Sequence, residues 1–184
     1  MICALASCRG GGDAPNGKPA KSEPVADAAD STPSPVVALL QPTAGNTVSG
    51  EVEFIPEPDG GVRVVAKVVG LHGDLHGFHV HERGDCSARD GTSAGGHFNP
   101  DGSPHGSPLT DSAGRHVGDL GNLAPDPSTG IAAYDRVDEQ LSLSGPRSIV
   151  GKSVIVHAGA DDLESQPTGA AGARIACGVI VVRD

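Results

Sequence analysis

An all-β fold, an eight-stranded antiparallel sandwich or flattened barrel, is predicted for this chain of 184 residues by three observations. Glycine (27) and proline (15) supply about 23% of the residues, roughly twice the usual share, which favours turns over long helices. No stretch keeps a 3.6-residue apolar period over three turns, whereas Val48-Ser49-Gly50-Glu51-Val52-Glu53-Phe54 alternates with the period of a half-buried strand. From Val36 onward, short Val, Ile and Leu-rich runs are separated by Gly, Pro, Asn and Asp, which is strand-and-turn composition.

Residues 9–35 hold five prolines and only Val25 as a sizeable apolar side chain before the composition changes. Such a segment buries too little surface to offset its ordering entropy and reads as a disordered tether. The chain therefore divides into a leader, 1–35, and a folded domain, 36–184. The expected strands are Val36 to Gln41, Thr47 to Ile55, Val62 to Val69, Gly77 to Glu82, His116 to Leu123, Gly130 to Val137, Lys152 to His157 and Arg174 to Val182. Eight short strands with tight turns fit a closed or two-sheet architecture. Two connections, Arg83 to Arg115 and Ala158 to Ala173, exceed the length usual for structureless loops, and both follow a histidine-bearing strand. Function is expected there.

Composition excludes several partners. The aromatic set is Phe54, Phe78, Phe98 and Tyr134, without tryptophan, so no base-stacking platform is present. A formal charge of −10 also opposes binding to nucleic acid. No apolar run reaches the length of a spanning helix. Of the four cysteines, Cys86 and Cys177 lie in the body without metal-finger spacing, leaving a single disulfide or two buried thiols as the alternatives. Leu5-Ala6-Ser7-Cys8 resembles the lipobox of bacterial lipoproteins. Only seven residues precede Cys8, which suggests that the sequence begins inside a longer signal segment. Cys8 is accordingly the candidate lipid anchor.

All eight histidines lie between positions 72 and 157. His79 and His81, two residues apart on a strand, share a face. His97 and His105 sit in the long Gly- and Pro-rich connection, His116 is followed three residues later by Asp119, and His157 closes a strand. One histidine alone is ordinarily a surface residue or a core one bonded to a carbonyl. Six in this pattern, with a carboxylate, indicate metal. Several imidazoles without thiolate suit Cu(II), and three imidazoles with one carboxylate make a closed zinc site.

These residues stand within longer signatures: Gly77-Phe78-His79-Val80-His81-Glu82, Ser93-Ala94-Gly95-Gly96-His97-Phe98-Asn99-Pro100, Arg115-His116-Val117-Gly118-Asp119-Leu120-Gly121-Asn122, Val156-His157-Ala158-Gly159-Ala160-Asp161-Asp162-Leu163 and Gly172-Ala173-Arg174-Ile175-Ala176-Cys177-Gly178-Val179-Ile180. Taken in order, they resemble the copper/zinc superoxide dismutases, from about Val36 to the C-terminus. The early cysteine in Gly84-Asp85-Cys86 and the Pro-rich leader are more similar to the bacterial periplasmic branch. The resemblance implies a Greek-key barrel, copper held by His79, His81, His97 and His157, and zinc held by His97, His105, His116 and Asp119, one ion of each per chain.

It further implies that His97 is the bridging imidazolate, that Asp161 links a zinc histidine to a copper histidine, and that Cys86 and Cys177 form a disulfide. Arg174 would anchor the anionic substrate, superoxide, which a redox-cycling copper converts to dioxygen and hydrogen peroxide. His76 is expected to brace the barrel, while His72 and Asp162 are expected to be solvated. A non-catalytic copper carrier or metal-buffering domain of the same fold is the alternative, and a periplasmic or envelope location, tethered or free, goes with the branch. Both monomers and homodimers occur in the family. Two departures stand out: the segment from Ala160 to Arg174 is short, and Pro167 occupies the place of an expected basic residue. Arg89 or Arg115 is then the expected source of guidance for the anion. With 3 basic and 4 acidic residues in the leader, the domain carries −9, so a single positive funnel in a negative surface is expected.

Overall fold

The structure is a computed structural model that describes residues 34–109 and 114–183. Of the leader expected to be disordered, residues 1–33, with Cys8, lie outside the described residues; Pro35 is described, and its carbonyl accepts from the Arg183 amide (2.7 Å). Eight strands follow in order: β1 (Val36–Pro42), β2 (Ser49–Pro56), β3 (Val62–Val69), β4 (His76–His81), β5 (Asp119–Leu123), β6 (Ala132–Asp138), β7 (Ser153–His157) and β8 (Arg174–Val182). Every adjacent pair is antiparallel, in the spatial order β5-β4-β7-β8-β1-β2-β3-β6. Among the described residues, one short helical turn occurs, Thr92–Ala94, inside the first long connection. All-β character and the strand count expected from sequence are both met.

Alternation places the core. In β3, Val62, Val64, Ala66 and Val68 are buried, whereas Arg63 and Lys67 face water. Phe54 and Val52 of β2 meet them, and Phe78 and Val80 of β4 and Val154 and Val156 of β7 complete the same apolar cluster. Phe78 also meets the Tyr134 ring edge-on at 5.3 Å, and the Tyr134 hydroxyl donates to the Leu120 carbonyl (3.0 Å). Strands β4 and β7 differ from β3 in being buried at every position. Their inner residues fill the barrel, and their outer residues, His79, His81, Ile155 and His157, lie under the two long connections.

The expected strand at His116 begins three residues later, at Asp119. His116 N–H donates to the Asp119 carboxylate (3.0 Å), and Asp119 N–H returns to the His116 carbonyl (3.2 Å), so the segment closes as a turn rather than extending. Gly130 is likewise a turn residue, with positive φ. The Cys86–Cys177 disulfide, with Cα atoms 5.8 Å apart, ties the first long connection to β8. Closing a loop of this span stabilises by about 4.6 kcal/mol in the chain-entropy model.

Candidate metal centre

Strand register assembles the site from distant parts of the chain. The β4–β5 pairing sets His79 opposite Asp119, an isolated bridge sets His81 opposite His97, and the β7–β8 pairing sets His157 opposite Arg174. Both β4–β5 and β7–β8 carry a register shift at these histidines. Such shifts re-aim side chains next to functional sites.

Two groups of candidate ligand atoms result: His79, His81, His97 and His157, and His97, His105, His116 and Asp119, the atoms of each lying within 4.8 Å of one another. His97 belongs to both. In the four-histidine group the outer ring nitrogens are occupied. His79 Nε2 donates to Asp161 Oδ2 (2.7 Å), His81 Nδ1 to the Gly95 carbonyl (2.9 Å) and His157 Nδ1 to the Gly172 carbonyl (3.1 Å). Each bond fixes a tautomer and leaves the other nitrogen as a lone pair. His79 Nδ1 and His97 Nε2 are buried without any hydrogen-bond partner, and His157 Nε2 faces His81 Nε2 at 3.4 Å. Orphaned lone pairs turned toward one another are costly alone and suited to a shared cation.

In the second group, Asp119 Oδ2 accepts from the Gly106 and His116 amides, each at 3.0 Å. Its Oδ1 faces His97 Nδ1 (2.8 Å), His105 Nδ1 (3.0 Å) and His116 Nδ1 (3.2 Å). His105 Nδ1 makes no hydrogen bond despite that approach. One carboxylate oxygen surrounded by three imidazole nitrogens is the donor set of a four-coordinate zinc site. The residues present therefore fit both metals: four imidazoles without thiolate on one side, three imidazoles and a carboxylate on the other. Asp161 joins the two groups, its Oδ1 accepting from His105 Nε2 (2.9 Å) while Oδ2 takes His79.

Protonation states follow from burial and charge. Burial, with the repulsion of His79, pushes His157 down to about 3, and burial with repulsion from His79 and His105 outweighs Asp119 to hold His97 at about 4. Burial and neighbouring His97 also keep His81 well below the usual histidine range. Asp119 stays far below the usual carboxylate range because the His105, His116 and His97 rings gathered around it overcome its burial, and Asp161 is low for the corresponding reason with His105 and His79. At neutral pH these imidazoles are neutral and both carboxylates ionised, the forms that ligate metals or orient their ligands. His105 is the exception: burial opposes its charge, but the Asp119 carboxylate close beside it and the bond to Asp161 raise it to about 9. A metal taken up by His105 near neutral pH displaces a proton.

Arg174 donates from Nη1 to the Gly91 carbonyl and from Nη2 to the Gly95 carbonyl, both at 2.6 Å. Gly95 thus receives both the guanidinium and His81. Gly91 lies so close that a Cβ there would stand 3.3 Å from the Arg174 Cβ, and Thr43 Oγ1 fixes the Arg174 carbonyl (2.8 Å). A surface depression beside it is lined by Thr43, Asp90, Thr92, Gly172, Ala173 and Arg174.

One sequence expectation changes, and two loop residues take on roles beyond what the sequence marks. Arg115 is buried, not a surface guide: its Nη2 is bidentate to Asp138 at 2.7 Å, and Nη1 donates to the carbonyls of His116, Val117 and Asp119. A cation so paired holds the turn before β5 and contributes little field to an approaching anion. Asp162 is exposed as expected, yet it organises its loop by accepting from the amides of Glu164 (3.0 Å) and Ser165 (2.8 Å). Gln166 was not singled out by sequence and turns out to grip the backbone of His105. A glutamine in a polar loop carries no spacing signal that could have marked it. His76 behaves as a brace, with Nδ1 2.8 Å from the His157 carbonyl oxygen and Nε2 3.0 Å from that of His72, while His72 is exposed.

A β-barrel whose outer face carries two ligand groups joined through one imidazole belongs to the class of dinuclear metalloproteins. Residues 48–180 match the family profile described as copper/zinc superoxide dismutase (SODC), and the chain is a member of that family. It is 46% identical over 150 residues to superoxide dismutase (Cu-Zn) 2 of Brassica juncea, covering 78% of this chain and 95% of that one. It is 48% identical over 151 residues to superoxide dismutase (Cu-Zn) A of Xenopus laevis, covering 79% and 97%. A solved structure titled as a crystal structure analysis of the clock protein EA4 superposes with a TM-score of 0.73 at 43% identity, covering 83% of this chain and 96% of the other.

Proposed function

We propose that this protein is a superoxide dismutase, converting two superoxide anions and two protons into dioxygen and hydrogen peroxide. One observation carries the reading: His97 presents Nε2 to the four-histidine group and Nδ1 to the group containing Asp119. Copper is assigned to His79, His81, His97 and His157, and zinc to His97, His105, His116 and Asp119. Bound copper supplies one-electron redox chemistry, while zinc, with its donors all from protein, supplies fixed charge.

The chain's own residues do the rest. Asp161 sets the orientation of His79 and His105 together, so neither ring turns without the other. The Gly95 and Gly172 carbonyls hold the His81 and His157 tautomers. His97 Nε2, buried without a protein partner, is the atom placed to take up a proton and pass it to the reduced product, the second proton coming from water. Arg174, its guanidinium pinned by two carbonyls, keeps N–H groups and charge available for a small anion.

Superoxide removal by the chain loaded with one copper and one zinc tests this reading. A rate no faster than that of metal-chelated buffer ends it. Arg174→Glu is expected to slow turnover at least about tenfold at unchanged metal content, the lower end of what local charge does to anion capture. An unchanged rate would remove its role.

An envelope location in the manner of the bacterial periplasmic branch is supported by the disulfide, which persists in oxidising compartments, and by the early position of Cys86. Lipidation at Cys8 is read by mass spectrometry of the mature N-terminus from the native host. A homodimer is the assembly proposed, since Leu39 and Val181 are about half exposed on the adjacent strands β1 and β8. Sedimentation of the loaded protein decides it.

A further inference from the structure

Among the residues assigned to zinc, His105 is the one least held by strands. Asp119 lies in β5, His97 is bridged to His81, and His116 is bonded directly to Asp119. His105 sits in an extended stretch of the first long connection, yet only 3% of it is exposed. What holds it comes from the other long connection. Gln166 Oε1 accepts from the His105 amide (2.8 Å), and Gln166 Nε2 donates to the His105 carbonyl (2.9 Å) and to the Glu164 carbonyl (3.1 Å). Only this amide orientation makes the bonds; the flipped one would set oxygen against oxygen and N–H against N–H.

The gripping segment is built for a single conformation. Asp162 N–H donates to the Gly169 carbonyl (2.9 Å), Gly169 N–H to the Ser165 carbonyl (2.6 Å), and the Asp162 carboxylate caps the turn between them. Leu163 (φ 65°) and Ala170 (φ 50°) adopt left-handed conformations without being glycine. Such strain persists where surrounding contacts over-determine it. At Gly169 (φ 64°), a Cβ would stand 1.8 Å from Asp161 Oδ1 and 2.6 Å from His105 Nε2, so the backbone lies directly on the Asp161–His105 bond. One short segment thus grips His105 twice, by Asp161 at the imidazole and by Gln166 at the backbone.

We propose that Gln166 is a positioning residue for His105, clasping its main chain from the second loop so that the imidazole is held in place for zinc. Gln166 touches neither substrate nor metal in this scheme; it acts through the main chain of His105. The scheme rests on the assignment of zinc to His105 and explains how a shortened loop, with Pro167 in place of a basic residue, still serves the site. The loop holds a ligand instead of offering charge.

The test compares Gln166→Met, which keeps length and removes both polar atoms, with the parent chain loaded with copper and zinc. Three readings are taken: zinc release to a chelator, copper retention, and the visible bands of cobalt(II) placed at the zinc site. Outer contacts of metal ligands are worth 10–100-fold in affinity, and an exposed clasp belongs at the low end. Zinc release about tenfold faster, copper retention within twofold and shifted cobalt bands are expected. Gln166→Glu, which keeps the acceptor and loses the donor, should fall between. Zinc release within twofold of the parent and superimposable cobalt bands in Gln166→Met overturn the clasp. Equal loss of copper overturns its selectivity for His105. If Gln166→Met does not fold, Gln166→Glu is judged by the same readings. A parent chain that takes up no zinc would instead sink the dinuclear assignment, and the clasp with it.

Discussion

The half of the barrel formed by β2, β3 and β6 and the half formed by β4, β5 and β7 obey different rules. In β3, alternate residues face water, and Arg63 there pairs with Asp135 of β6 across the outer surface at 2.7 Å. In β4 and β7 nothing faces water, because the loops cover the outer face. The first half is a sheet whose outer face is only solvated; the second is a sheet sandwiched between a core and a polar site. Burying histidines and carboxylates is tolerable only where each polar atom finds a partner, and the site strands meet that demand with carbonyls, carboxylates and metal.

The comparison can be broken from either side. Phe54→Ala, on the solvated half, removes a fully buried ring and should cost about 3–5 kcal/mol of stability. Chemical denaturation reads that loss, and metal stoichiometry per folded chain should not move. A destabilised variant that also sheds zinc would mean the halves are coupled.

Acid should act on the other half. In the metal-free form, His97 (about 4) and His157 (about 3) lie below their ordinary value of 6.5, so the unfolded chain binds more protons as pH falls under 6.5. Their contribution is complete above 6.5 and is lost as pH drops toward 4 and 3, at about 1.4 kcal/mol per pH unit for each histidine. His105, raised to about 9, runs the opposite way: its contribution is present below 6.5 and fades as pH rises through 9. Thermal midpoints of the chelated protein should therefore peak near pH 6.5. A flat profile would show that the site relaxes and hydrates without metal.

Asp161→Asn keeps the shape of the side chain and removes its charge. A tenfold to hundredfold loss of zinc affinity is expected, by analogy with other outer contacts of metal ligands, and chelator competition measures it. Arg63→Ala comes last. Its pair with Asp135 is exposed on both sides, and no resolvable change in midpoint or activity is expected. A measurable shift there would contradict the view that this face is merely solvated.

Much of the site was legible because metal ligation demands rare residue types. His79 and His81 at i and i+2, and Asp119 three residues after His116, are marked by identity and spacing alone. Gln166 and Asp162 were not legible, because hydrogen bonds to backbone demand only a polar atom in the right place. The role of Arg115 is hidden for a related reason. A guanidinium in a loop suggests solvent unless its partner is known, and Asp138 lies on β6, 23 residues further on. The strand expected from His116 starts only at Asp119 because side-chain capping by Asp119 competes with extension, and an alternating pattern does not record that competition.

By itself, then, the sequence determined the strand-and-turn architecture, through its period-two alternation and its turn residues, and the chemical class of the centre, through its histidines. Which histidine serves both groups was decided only by tertiary structure. The register of β4 against β5 and β7, and the bridge from His81 to His97, bring His97 between residues that lie up to 60 positions away. Pairing between distant strands is set by packing of the whole barrel, and no local pattern contains it.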